Sequence, residues 1–208
     1  MPSLPPNPSR FAAVLTAAER LHYWHPASRS SGARPYDLFI YGVRAPATST
    51  NLFDDAIGVA YVDARGAPVV EEWPATTDPG RAALDHPTRE AGTATVVPGQ
   101  YRGLWARGVH HPGTTGAYPC LVPVGPSPPV WRGSDRSRVY LDAEGIQLHR
   151  AAGPGRAPPA RVDWYSAGCQ VLRDDAALQR VLALVAEQEA RGLGRTVTYT
   201  LFGPGDGP

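Results

Sequence analysis

Short apolar stretches alternate along this chain with clusters of Gly, Pro, Ser and Asp, and only two segments carry helical spacing. In "SRFAAVLTAAERLHYW", Phe11, Val14, Leu15, Ala18 and Leu21 recur at three- and four-residue steps, which predicts an amphipathic helix capped by Ser9. In "DDAALQRVLALVAEQEARG", Leu178, Val181, Leu182 and Val185 form the apolar stripe, Asp174 or Asp175 starts the helix, and Gly192 ends it. Between them the pattern is that of strands. "YDLFIYGVR", "AIGVAYVD" and "VVEEWPATT" are rich in aromatic and β-branched residues, and the turn "ARGAP" predicts that the last two pair as a hairpin. "ATVV", "PCLVPV", "PVWRG", "RVYLD", "GIQLHR" and "RTVTYTLF" predict further short strands. The stretch "DPGRAALDHPTREAGTATVVPGQYRGLW" is dominated by turn signals, with "ATVV" its one strand, and "AAGPGRAPPARV" reads as a mobile loop.

The predicted fold is therefore mainly β with two flanking helices, an α+β domain. The helix and a Pro/Ser-rich linker occupy residues 1–35, the β-rich domain 36–202, and a loose Gly/Pro tail 203–208. Composition agrees: 22 Gly and 23 Pro imply many turns, while 42% hydrophobic residues allow a core. The net charge is +1, every one of the twenty basic residues is Arg, and no basic run occurs, which argues against nucleic acid as a partner. No apolar run is long enough for a transmembrane helix. The N-terminus lacks the basic and apolar regions of a cleaved secretory signal, so the expected location is the cytoplasm, or outside the cell by a signal-independent route.

The candidate chemistry centres on "WYSAGCQVL". A thiol becomes nucleophilic when a neighbouring imidazole draws off its proton, and the nearest upstream histidine is His149 in "GIQLHR". Ala167 and Gly168 are small, so backbone N–H groups can approach an oxyanion. Spacing alone leaves two readings of Cys169 open, a nucleophile and a buried inert thiol. Two cysteines allow one disulfide, Cys120–Cys169, which would quench the nucleophile, and the ligands of a structural zinc site are absent. His110 and His111 in "RGVHHPG" read either as positioning a substrate carboxylate or as a solvated turn; no further His or Cys at metal-ligand spacing accompanies them. Tyr101 and Trp105 read equally as cleft wall or core. Asp54, Asp55 and Asp78 read as turn or cap residues, and Cys120 as a buried thiol.

His149, a loop, and then Ser166-Ala167-Gly168-Cys169 resemble the signature of the L,D-transpeptidase catalytic domain family, a strand-borne His followed by Ser/Thr-His-Gly-Cys. "VVPGQYRG" is similar to that family's Pro-x-Gly-x-Tyr/Phe segment, and "TTDPG" to the turn before it. The resemblance spans roughly residues 36–202 and is that of a divergent phage or bacterial branch. It implies a β-sandwich or barrel in which Cys169 attacks an L,D-linked peptide bond of a peptidoglycan stem, with His149 as base. It further implies that the Arg150 carbonyl orients His149, that N–H groups near Gly168 and Cys169 hold the oxyanion, and that no cofactor or metal takes part. The expected substrate contacts are Ser166, Tyr101, Trp105, His110, His111 and Gln170, and the Arg150 guanidinium reads either as a partner for a substrate carboxylate or as turned to solvent by strand alternation. Two departures stand out: Ala167 replaces the family's second His, and Val171 its polar residue after the Cys. The alternative is a phage structural or wall-binding module that keeps the fold without the chemistry.

Overall fold

The computed structural model describes residues 6–30, 32–46 and 51–208. The expected frayed start and one position of the linker lie partly outside these residues. Eleven strands are present among them: β1 (Phe39–Val43), β2 (Asp55–Val62), β3 (Pro68–Thr76), β4 (Ala94–Val96), β5 (Gly99–His110), β6 (Tyr118–Pro123), β7 (Val130–Arg132), β8 (Asp135–Tyr140), β9 (Leu148–Arg150), β10 (Gln170–Leu172) and β11 (Thr196–Phe202). The helices are α1 (Pro8–Arg20), α2 (Arg81–Asp85) and α3 (Asp175–Ala190). Eight strands close a barrel in the order β1-β11-β5-β6-β9-β10-β3-β2, and β4-β7-β8 form a small second sheet. The mainly β, α+β expectation agrees with this architecture.

Strand alternation decides which side chains fill the barrel. Along β1, Ile40 joins the main core, while Phe39 and Tyr41 turn to a second cluster with Val14, Ala17 and Ala18 of α1. On β11 the same rule sends Leu201 to the main core and Phe202 to α1. α1 is capped by Asn7, whose Oδ1 accepts from Arg10 N at 3.1 Å, rather than by Ser9. Pro8 explains the difference, because its fixed φ suits the first helical position and moves the cap two residues upstream, to Asn7. α3 begins at its Asp174 cap, which accepts from Ala177 N at 2.9 Å, and buries Leu178, Val181, Leu182 and Val185. Its Arg180 pairs with the buried Glu71 of β3 at 2.6 Å, and Tyr61 of β2 donates to the same carboxylate. Buried Arg44 ties the barrel to the small sheet by donating to Thr77 Oγ1, Thr77 O and Val96 O.

Three departures from the sequence pattern have physical causes. β5 is the longest strand, yet its segment reads as turns, because Gly99, Gly103 and Gly108 interrupt the apolar alternation. Gly103 has φ +61° opposite a register shift in β11, and a methyl at Gly108 would strike Val122 on β6. The α2 turn is stabilised by an Arg81–Asp85 ion pair and stops at His86, ahead of Pro87. β10 is a three-residue strand where the pattern runs straight from Cys169 to helix. The 203–208 tail, expected to be loose, is held down: Arg10 donates to Pro208 O and Arg20 to Asp206 O, while Gly203 is buried. Residues 151–162 are likewise pinned, by Arg173 Nε to Pro159 O at 2.8 Å and Val162 N to Asn51 O at 3.1 Å.

Inside the barrel, Tyr199 donates to Gln170 Oε1 at 2.7 Å and packs tilted against Trp105, ring centres 4.5 Å apart. A methyl at Gly42, on the neighbouring strand, would collide with the Tyr199 hydroxyl. Gly42→Ala is expected to destabilise the fold by about 1–3 kcal/mol through overpacking. Tyr199→Phe is expected to cost a similar ~1–3 kcal/mol by stranding the Gln170 oxygen. In urea denaturation the double variant should lose less than the sum, since removing the hydroxyl makes room for the methyl.

Candidate active site

The site grows from two adjacent parallel strands. β9 and β10 pair in the register Gln170–Leu148 and Val171–His149, with Gln170 N bonded to Gln147 O at 2.9 Å. Cys169 therefore enters β10 beside Gln147, two residues out of register with His149, which strand geometry converts to roughly 8 Å between α-carbons. The turn before it is built by Ser166. Its Oγ accepts from Gly168 N at 3.2 Å and donates to Cys169 O at 2.9 Å, while its carbonyl accepts from Gly80 N. Gly168 has φ +127°, and an added Cβ would lie 2.9 Å from Ala94 O, so glycine is required there.

Cys169 is half-buried on the wall of a cleft of about 460 Å³, which it shares with Ala94, Gly145, Ile146, Ala167 and Trp164. Its Sγ donates to Gly145 O at 3.5 Å. Among the described residues no hydrogen bond joins this thiol to an imidazole. Burial pushes the Cys169 thiol up, against the Gln147 N–H, which favours the thiolate.

His149 is almost fully buried behind this turn, and neither it nor His110 belongs to the wall of the cleft. Its Nδ1 lies 3.0 Å from Arg150 O and 3.3 Å from Tyr118 Oη. A carbonyl can only accept, so Nδ1 carries the proton and Nε2 holds the lone pair. Nε2 makes no hydrogen bond among the described residues, yet it is not sealed: the buried unpartnered side-chain polar atoms are His25 Nδ1 and Arg150 Nε. Burial lowers the His149 pKa to about 4, against the Arg150 carbonyl bond, which raises it. The resting pair at neutral pH is thus a thiol and a neutral imidazole.

Of the expected site residues, the structure brings His149, Arg150, His110 and His111 into one cluster. The His110 ring stacks on His149 at 4.5 Å, and its Nδ1 is 2.5 Å from Gln147 Oε1. Burial lowers its pKa. His111 is exposed, at φ +46°, with its ring 3.8 Å from that of His110. The Arg150 guanidinium does not face the cleft. It bonds to Asp175 at the start of α3 at 3.0 Å and covers the Tyr118 ring at 4.1 Å.

The remaining expected contacts are structural. Ser166 is buried as the brace of the turn, and Gly168 N–H is spent on it, so the Cys169 N–H is the one left for an oxyanion. Gln170 is fully buried, because alternation turns it into the barrel toward Tyr199. Trp105 is core, with Nε1 bonded to Ile146 O at 2.8 Å. Tyr101 donates to Val97 O and packs against the core. Asp55 is buried, accepting from Ala45 N, Thr77 N and Thr77 Oγ1. Cys120 is fully buried and its thiol is pushed up to about 12, chiefly by burial. Both cysteines are free, and among the described residues no three His, Cys, Asp or Glu side chains converge to hold a metal. No helix among these residues is long and apolar enough to cross a membrane.

Sequence reasoning missed Tyr118, Gln147, and the cleft residues Trp164, His86, Arg89 and Arg132. Gln147 was findable, since i and i+2 share a strand face with His149. Tyr118 is the cross-strand partner of His110 and needed the β5–β6 hairpin to be known.

Because folding holds His149 neutral, its folded pKa of about 4 lies below the unfolded value of 6.5. Its contribution is complete above pH 6.5 and is lost as pH falls toward 4, by roughly 3 kcal/mol in all. Histidine NMR should show this ring titrating near 4, and His149→Gln should flatten the loss of thermal stability across that window. Comparison of the chain with family models, with curated proteins and with solved structures returns no match to any of them.

Proposed function

We propose that this chain is a cysteine enzyme that transfers or hydrolyses acyl groups at L,D-linked peptide bonds of peptidoglycan stem peptides. The observation that carries this reading is the fixed tautomer of His149. Its Nδ1–H is anchored on Arg150 O, which leaves Nε2 as a base on the strand beside Cys169. The cleft in front of Cys169 supplies room for a peptide, and the sequence resemblance supplies the substrate class.

In this reading Cys169 Sγ attacks the peptide carbonyl as His149 Nε2 takes the thiol proton. The oxyanion meets the Cys169 N–H, one donor of the kind whose loss costs about 100- to 1,000-fold in rate. The C–N bond then breaks, His149 returns the proton to the leaving amine, and a thioester remains on Cys169. An amine resolves it to a cross-link; water resolves it to a trimmed peptide. Since both partners rest neutral, proton transfer accompanies attack rather than preceding it.

The rival reading, a non-catalytic wall-binding module, is favoured by one observation: the thiol donates to Gly145 O and burial raises its pKa. Incubation with disaccharide tetrapeptide followed by mass spectrometry separates the two. The enzyme releases the terminal residue or forms dimer, Cys169→Ala abolishes both, and His149→Ala slows them by about 100- to 10,000-fold. Iodoacetamide should also alkylate Cys169 well ahead of buried Cys120, with a rate that His149→Ala alters. Unchanged substrate, with both thiols equally slow, overturns the enzymatic reading.

A further inference from the structure

We propose that Trp164 and His86, at the edge of the Cys169 cleft, form a saccharide subsite that takes the C–H face of a pyranose ring. The ligand is the glycan carried by the stem-peptide substrate, so its identity rests on the function proposed above. Trp164 is 70% exposed, whereas Trp105 is fully buried and the other three tryptophans are partly covered. Its ring stacks on His86 at 5.8 Å and 15°, and both residues line the cleft that holds Cys169.

The display of this indole is built into the backbone. Asp163, the preceding residue, is held at φ +42°. Asn51 grips it from a distant part of the chain, through Asp163 N to Asn51 Oδ1 at 2.6 Å and Asn51 Nδ2 to Asp163 Oδ1 at 2.7 Å. The same Asn51 oxygen accepts from Arg81 N at the start of α2, the helix that ends at His86. Gly80 lies so close that a methyl there would collide with the Asp163 carbonyl. One asparagine thus ties the residue before Trp164 to the first residue of the helix that leads to His86.

The surroundings choose the ligand. The polar part of the cleft holds Thr88, Arg89, Arg132 and Glu144. Asp142 grips both guanidiniums, at 2.9 Å from Arg89 Nη1 and 2.9 Å from Arg132 Nη2, so their remaining N–H donors are held in place. An apolar peptide side chain calls for an enclosed apolar wall. A pyranose presents an apolar C–H face to the electron-rich face of an indole and a rim of hydroxyls and acetamido groups to flanking donors and acceptors. An exposed flat aromatic beside pinned polar groups matches the second.

The test is binding, which needs no turnover. The full chain is titrated with the β-1,4-linked tetramer of N-acetylglucosamine, and separately with sugar-free stem tetrapeptide, while the indole Nε1–H NMR signals are followed. Trp164→Phe assigns the Trp164 signal. That signal should shift saturably with the saccharide, Trp164→Ala should weaken binding by about tenfold or more, and Trp164→Phe should retain most of it. Cys169→Ala should bind as the unaltered chain does, so an inactive thiol and an absent subsite give different results. No shift at Trp164, equal affinity in Trp164→Ala, or a Trp164 shift produced by the peptide alone overturns the proposal.

Discussion

The parallel pairing of β9 with β10 is the constraint on which the rest of the site depends. Two antiparallel strands can be joined by a tight turn, but two parallel neighbours need a crossover that returns the chain to its starting end. Residues 151–169 supply that crossover and deliver Cys169 alongside the strand that carries His149. Its Gly and Pro content, which reads as slack in the sequence, is the means by which an irregular path is tied down at Val162 and Pro159. The last turn of that path admits little variation, because Ser166 closes it and Gly168 passes against Ala94. α3 then leaves from β10, and its first turn anchors Arg150 through Asp175. The strand that bears the imidazole and the helix that follows the thiol are thereby locked to each other.

The barrel makes this pair rigid by burying apolar faces on both sides of its wall. α1 covers Phe39, Tyr41 and Phe202 on one outer face, and α3 packs its stripe against the main core. Polar groups inside the wall are paired rather than excluded, as Glu71 with Arg180 and Arg44 with Thr77 show. Both pairs link elements far apart in sequence, and loss of Arg180 would leave the buried Glu71 carboxylate without its cation.

Much of the fold is legible in the sequence where the period is clean. The stripe of Leu178, Val181, Leu182 and Val185 and the β2–β3 hairpin follow from spacing and turn chemistry alone. β5 is illegible for the opposite reason: Gly108 lets β6 approach and Gly103 takes a left-handed φ beside the β11 register shift, and an absent side chain leaves no pattern to read. For the candidate site, nearness in sequence singles out His149 and Cys169, which lie on or beside two adjacent strands, but misplaces their neighbours. Gln170 adjoins the cysteine yet faces the barrel interior, and Arg150 adjoins the histidine yet is drawn to α3. Trp164 and His86 come together through Asn51, more than a hundred residues from the one and thirty-five from the other, and through the close approach of Gly80 to Asp163, and no local pattern encodes that meeting.

The neutral resting pair has a chemical consequence for survival. A cysteine stored as thiolate reacts with peroxide and with stray electrophiles as readily as with its proper target. Here burial holds the Cys169 proton in place, and His149, itself kept neutral, exerts no cationic pull on it. Such a thiol is slow to climb the oxidation ladder toward sulfenic and sulfinic acid. The geometry trades intrinsic reactivity at this sulfur for durability of the free thiol.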